Sequence, residues 1–210
     1  MSLRFVVLSD THGLHDGLQI PGGDVLVHAG DLTGHGTLEE VRAFDAYLAG
    51  LPHRHKIVIA GNHDWCFERQ GPAARSLLRH AVYLEDEAVE IEGLRFYGSP
   101  WQPRFFDWAF NLDRGPELRA KWLRIPADTD VLITHGPPLG HGDLTLRGDR
   151  TGCAELLQRL REVSPRLHLF GHIHEGYGIS SEGGTTCVNA SVCDFSYRPV
   201  HPPVVLDYPG

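Results

Sequence analysis

Two pairs of metal-binding side chains stand two residues apart in this chain, Asp10-x-His12 and His172-x-His174, each directly after a short apolar run. Extended backbone repeats its side-chain direction every two residues, so both members of a pair can face one point; on a helix they would diverge. Three more apolar runs end in similar residues: Val25–Ala29 before Gly30-Asp31, 56–60 before Gly61-Asn62-His63-Asp64, and Val131–Thr134 before His135. The resulting set, Asp10, His12, Asp31, Asn62, His135, His172 and His174, offers two carboxylates, one amide oxygen and four imidazoles. Oxygen and imidazole nitrogen without thiolate suit Mn²⁺ first, with Fe, Zn²⁺, Co²⁺ and Ni²⁺ as alternatives, rather than soft copper or an all-oxygen calcium cage. Seven ligands are too many for one closed tetrahedral ion and fit two divalent ions sharing a bridging carboxylate, with positions left open for water. Two divalent ions outweigh two carboxylates by about two charges, so an anion is drawn to a site on an otherwise acidic chain.

The elements that must hold these residues follow from the same runs. Their length and β-branched content suit strands buried on both faces. Helical patterns lie between them, at 37–48, 73–80, 116–123 and 151–163, and alternation of this kind predicts an α/β fold whose site sits at the carboxyl ends of the strands. Two hairpins, 88–91 with 94–98 and 176–180 with Thr185–Asn189, add antiparallel pairing, and a last run at 203–208 can close an edge. Two packed mixed sheets flanked by helices are therefore expected. With 210 residues and neither repeat nor linker, one domain spanning 1–210 is the expectation.

Composition removes several classes. At 41% hydrophobic and 22% charged residues the chain is globular, and its formal net charge of −8 provides no field to gather a polynucleotide. The apolar stretch near the start is too short for a signal or a membrane span, so a cytoplasmic protein with no membrane partner is expected. Cys66, Cys153, Cys187 and Cys193 form no C-x-x-C pair and are read as free structural thiols. Phosphate-loop, dinucleotide and serine-hydrolase motifs are missing from the sequence.

Taken in order, Asp10-x-His12, Gly30-Asp31, Gly61-Asn62-His63-Asp64, His135-Gly136 and Gly171-His172-x-His174 resemble the signature of the calcineurin-like metallophosphoesterases. Ser9-Asp10-Thr11-His12, Gly98-Ser99-Pro100-Trp101, the Thr134–Leu139 segment and His174-Glu175-Gly176-Tyr177-Gly178 are similar to one branch, the small brain-type metallophosphoesterase-domain proteins and their bacterial relatives. The resemblance implies a four-layer α/β/β/α sandwich. It also implies that Asp10, His12 and His174 bind one ion, Asn62, His135 and His172 the other, and that Asp31 bridges. The implied reaction is hydrolysis of a small phosphodiester, a cyclic nucleotide foremost, by hydroxide held between the ions. A phosphomonoesterase or protein phosphatase is the alternative within catalysis, and a non-catalytic metal-binding scaffold the alternative outside it. The oligomeric state is left open.

Within that reading His63, outside the ligand set, is the candidate general acid, and Asp64 is expected to orient its imidazole. Asn62, Trp101, Arg104 and His141 are candidate substrate contacts. Trp101 and Arg104 head an aromatic segment, 101–111, that stacks a nucleobase or else anchors a satellite core, and His141 lies in a Gly-rich loop. His53 and His55, just before their strand, are read as surface histidines on the far rim, and His28 as core or supporting.

Overall fold

A computed structural model describes residues 2–208. Leu3–Leu8 forms β1, in which Phe5, Val6, Val7 and Leu8 are all buried, because a run apolar on both faces needs cover on both. Val25–Ala29 (β2) pairs with it in parallel. The crossover to His55–Ile59 (β3) runs through Leu38–Ala49 (α1), and that to the short Val82–Tyr83 (β4) through Trp65–Arg69 (α2) and Gly71–Leu77 (α3). Thr37 starts α1 with a capping box: its hydroxyl accepts from Glu40 N, and the Glu40 carboxylate accepts from Thr37 N.

The second sheet begins with the hairpin Glu87–Ile91 (β5) and Leu94–Ser99 (β6), turning at Glu92-Gly93, both at positive φ. A small parallel ribbon, Gln102–Pro103 (β7) with Asn111–Leu112 (β8), precedes Pro116–Trp122 (α4) and Val131–Thr134 (β9). Ala154–Val163 (α5), Leu167–Phe170 (β10) and the hairpin Gly178–Glu182 (β11) with Thr185–Asn189 (β12) complete the sheet in the order β11-β12-β10-β9-β6-β5. Val204–Tyr208 (β13) returns to pair antiparallel with β1, so the first sheet reads β13-β1-β2-β3-β4, and both sheets are mixed.

The buried apolar side chains sort by layer. Phe5, Val27 and Ile57 of the first sheet meet Phe96, Ile133 and Leu169 of the second in one cluster between the sheets. The outer face of the first sheet packs Val6, Leu26 and Val58 against Val41, Phe44 and Leu48 of α1 and Phe67 of α2. On the far side Tyr97, Leu132 and Phe170 pack against Leu118 and Trp122 of α4 and Leu156 and Leu160 of α5. These are the four layers α/β/β/α that the sequence led us to expect. No helix among the described residues is long and apolar enough to cross a membrane.

Several elements depart from their expected bounds. The third strand covers His55–Ile59 rather than 56–60. α3 ends at Leu77, not at 80, because the Asp45 carboxylate accepts from both Arg79 N and His80 N and draws that stretch off the helix. α5 begins at Ala154 rather than 151, since Cys153 pairs with the Pro137–Pro138 backbone and acts as N-cap. In the second hairpin 174–176 makes a 3₁₀ turn, so β11 starts at Gly178. His53 is also not a surface residue: it is 3% exposed, with Nε2 bonded to the Pro21 carbonyl. All four cysteines are buried as free thiols.

Candidate metal centre

The carboxyl ends of β1, β2, β3, β9 and β10 bring the seven expected ligands to one rim between the two sheets. Asp10 follows β1, Asp31 follows β2, Asn62 follows β3, His135 follows β9 and His172 follows β10. Four of these residues have left-handed backbones: Asp10 (φ 58°), His12 (46°), Asp31 (55°) and His172 (67°). Such conformations are uncommon for residues with a Cβ and persist where the surroundings over-determine them, which is a mark of functional sites. Here the strand ends must turn sharply to aim side chains back at the rim. Gly61 and Gly171 make room for the carboxylates, since a Cβ at Gly61 would strike Asp31 Oδ1 and one at Gly171 would strike Asp10 Oδ2.

The donor atoms converge in overlapping groups. Asp10, His12 and His174 have ligand atoms within 4.8 Å of one another, as do Asp10, Asp31 and His135, and also His12, Asp31 and His63. His174 Nε2 lies 3.2 Å from His12 Nε2 and 3.4 Å from Asp10 Oδ1. His135 Nε2 lies 2.9 Å from Asn62 Oδ1 and 3.4 Å from Asp31 Oδ2. His172 joins through its ring, 5.0 Å between centroids from His135, while its backbone N–H donates to the Asp10 carboxylate.

The tautomers fit a metal. His135 Nδ1 donates to the Ala29 carbonyl at 3.0 Å and His174 Nδ1 to the Asp194 carbonyl at 2.8 Å, which leaves each Nε2 with its lone pair directed at the rim. That lone pair then faces another electron-pair donor, Asn62 Oδ1 in one case and a second imidazole in the other. Such close encounters are favourable only with a cation or proton between the partners, and the buried carboxylates Asp10 and Asp31 supply the compensating charge. The donor set therefore fits divalent ions. Support continues one layer out, where Ser191 Oγ donates to Asp10 Oδ2, and where His28 and His168 pair through Nε2 with the hydroxyls of Thr11 and Thr134 beside the ligands.

His63 projects into the same cavity, with Nδ1 donating to the Gly34 carbonyl and Nε2 turned toward the Tyr197 hydroxyl at 3.5 Å. The expected role of Asp64 needs correction. Its carboxylate does not hold the His63 ring but accepts from Leu32 N, Thr33 N, Thr33 Oγ1 and Gly61 N, tying the β2 and β3 turns together. Burial and the nearby Asp31 charge push its carboxyl up to about 6 against those hydrogen bonds.

The expected substrate contacts divide. Asn62 and Arg104 line the cavity, Arg104 with Nε on Asp113. Trp101 is instead built into the core, its Nε1 on Asp86, its face under Lys121 and its edge on Phe110. His141 is turned away, with its two ring nitrogens on Ser180 and Glu182. The aromatic wall is made by Phe105, Trp108, Phe195 and Tyr197, with Arg114 and Thr145 beside them, around a space of about 360 Å³. Trp108 stands in the aromatic segment 101–111, whereas Phe195 and Tyr197 carry no motif and come to the site only because β12 ends beside β10.

Charge at the rim predicts how the metal-free protein responds to pH. Burial alone would lower His135, yet the Asp31 charge and hydrogen bond hold it at about 9; burial likewise opposes His174, which Asp10 raises to about 9. Burial pushes His12 down to about 4 and His28, His168 and His172 to about 3. The raised pair contributes stability that is complete below the unfolded value near 6.5 and is lost as pH rises through about 9. The lowered group works the other way: below about 6.5 the unfolded chain binds more protons, so stability falls as pH falls. Metal-free protein is thus expected to be most stable near pH 6.5. Metal-loaded protein, whose ligand imidazoles must be neutral, should lack the alkaline decline. Thermal unfolding of both forms from pH 5 to 10 checks this; an alkaline decline of equal size in both would refute it.

Comparison with known proteins adds three findings. Residues 3–176 match the sequence profile of the calcineurin-like phosphoesterases. The chain is 49% identical to Metallophosphoesterase domain-containing protein 1 of Homo sapiens, over 98% of this chain and 71% of that protein, and 44% identical to UPF0046 protein C25E10.12 of Caenorhabditis elegans, over 99% and 81%. Among solved structures, one crystal structure aligns with a TM-score of 0.70 at 16% identity, each chain covered in full. TT1561 of Thermus thermophilus reaches 0.60 at 18% identity, over 90% of this chain and 89% of that one. At such identities the likeness is one of fold.

Proposed function

The chain belongs to the calcineurin-like phosphoesterase family, and from that premise we propose that it is a phosphodiesterase with a dinuclear metal centre, acting on small diesters, cyclic nucleotides foremost. The observation that carries this reading is a cavity of about 360 Å³ that joins the ligand rim to an aromatic wall. Its size falls at the lower end of the range for small-molecule sites. Asp10, His12 and His174 would hold one ion, Asn62, His135 and His172 the other, with Asp31 between them. Mn²⁺ is our first choice for this oxygen and imidazole set. The bound ions supply Lewis acidity toward phosphoryl oxygens and water.

The rest is done by the chain. Asn62 presents its amide to the cavity, where it also meets substrate oxygens. Arg104 stands in the wall with its charge paired to Asp113. The Gly34 carbonyl accepts from His63 Nδ1 and orients the ring, so that in the imidazolium form the Nε2 proton is the one given to the departing oxygen. Four buried free thiols suit a reducing compartment, and we place the protein in the cytoplasm.

The test is turnover by metal-reconstituted protein of bis(4-nitrophenyl) phosphate, 4-nitrophenyl phosphate, and 2′,3′- and 3′,5′-cyclic nucleotides, with metal analysis alongside. The expected result is two ions per chain and diester turnover well above monoester turnover. A preference for the monoester would make the protein a phosphomonoesterase, and bound metal without any turnover would make it a scaffold.

A further inference from the structure

The mouth of the cavity carries aromatic surface that holding metal does not require. Phe195 and Tyr197 are 61% and 47% exposed, and both line the cavity, together with Trp108. Trp108 lies against the face of the His63 ring, centroids 4.3 Å apart and planes at 30°. Tyr197 meets the same imidazole closer to edge-on, at 5.8 Å and 65°. It also touches His12 and His174 edge-on, at 4.7 and 5.5 Å.

Tyr197 is held there at a cost. Its φ of 58° is unusual for a bulky residue, and the loop fixes it with a dense set of hydrogen bonds. The Asp194 carboxylate accepts from Ser196 N, Arg198 N and Arg198 Nε, and Tyr197 N donates to the Asp194 carbonyl. That carbonyl also accepts from His174 Nδ1, so one loop both orients a ligand and places an aromatic ring beside the proton donor. It lies beyond residue 176, where the family profile ends.

We propose that the leaving-group side of the centre is a ring-accepting slot with Trp108 and Tyr197 as its walls, selecting diesters whose leaving group carries a flat ring. The proposal rests on the diesterase reading through His63. A leaving oxygen protonated by His63 must lie within hydrogen-bond reach of Nε2. Whatever that oxygen carries then meets the two rings that flank the imidazole. A flat heterocycle covers aromatic faces that an alkyl group or bare sugar leaves wet, and stacking accepts any base. Selection would thus be for a ring, not for a particular base.

The experiment titrates metal-loaded protein by calorimetry with AMP and with ribose 5-phosphate, using Trp108→Leu and Tyr197→Asn. Leucine keeps apolar bulk without the flat face, and asparagine tolerates the left-handed backbone at 197. Either substitution is expected to weaken AMP about tenfold while changing ribose 5-phosphate by less than about twofold, with Trp108→Phe restoring most of the loss. The ratio of kcat/KM for a nucleoside leaving group over a methyl leaving group should fall by a similar factor. Equal weakening of both ligands, or of neither, overturns the slot. Should Tyr197→Asn fail to fold, Trp108→Leu decides alone. Ring-dependent AMP binding without diester turnover would sink the diesterase reading and leave the slot standing; diester turnover without ring preference would do the reverse.

Discussion

Asp31→Asn is expected to lower turnover of every phosphoester the protein accepts by about a thousandfold, equivalent to about 4 kcal/mol at the transition state, while the fold survives. Asp31 is 2% exposed, and its two oxygens have separate tasks. Oδ1 accepts from His63 N at 2.8 Å, a bond the asparagine carbonyl retains. Oδ2 lies 3.4 Å from His135 Nε2 and 3.9 Å from His12 Nε2, between the two ligand groups, where the variant places an uncharged NH₂. An amide nitrogen there can donate to a neutral imidazole but offers nothing to a cation. Metal analysis should fall from two ions per chain to one or fewer. Chelator is expected to lower the Tm of the wild type by removing a ligand that binds only the folded state, and to lower that of the variant much less. Because Asp31 is what holds His135 up at about 9, the alkaline decline of the metal-free protein should also shrink. Two retained ions with turnover near that of the wild type would remove Asp31 from its bridging place.

The centre is legible in sequence because its ligands obey a rule of strand geometry. Each block follows a buried parallel strand, but the i, i+2 pairs converge through left-handed turns at Asp10, His12 and His172 and not through the extended backbone their spacing suggests. β1, β2, β9 and β10 run from the first to the last residue of the apolar runs that announce them. The same rule fails for what surrounds the ligands. Adjacency suggests that Asp64 serves His63, but adjacency on a tight turn sends side chains apart, and three donors from the turn after β2, with Gly61 N of its own turn, claim the carboxylate. Trp101 and Trp108 share one aromatic segment with nothing in composition to separate them. What separates them is that Asp86 and Lys121, distant in sequence, capture Trp101, while the β7–β8 ribbon carries Trp108 back to the rim. Tyr197 is invisible in the sequence for a similar reason, since its position depends on a carboxylate-closed loop whose neighbours come from several other segments.

That arrangement links assembly of the centre to recognition. The Asp194 carbonyl orients His174, the Asp194 carboxylate closes the 194–198 loop, and the loop sets Tyr197 against His12 and His63. Disturbing the loop should therefore disturb metal and substrate together, whereas trimming only the Tyr197 ring should spare the metal. For this reason the slot must be tested at the side chains and not by deleting the loop.

His63→Asn is expected to separate substrates by their leaving groups. Nitrophenolate departs as a stable anion and gains little from a proton donor, while a ribose or alkyl oxygen leaves as an alkoxide unless protonated as the bond breaks. General acid catalysis contributes roughly 10²–10⁴-fold where it is needed, so turnover of cyclic nucleotides should fall by about that factor and turnover of bis(4-nitrophenyl) phosphate by less than about tenfold. The same residue offers a rival role that the measurement also resolves. His63 lies within 4.8 Å of ligand atoms of His12 and Asp31, so it could be a metal ligand. A ligand's loss would lower both substrates equally and reduce the ions bound. Its Nδ1 bond to Gly34 and its stacking on Trp108 argue for the acid, because they aim Nε2 at the space a leaving group would fill. If both substrates fall together, His63 belongs to the metal, and the slot beside it loses the proton donor that gave it a direction.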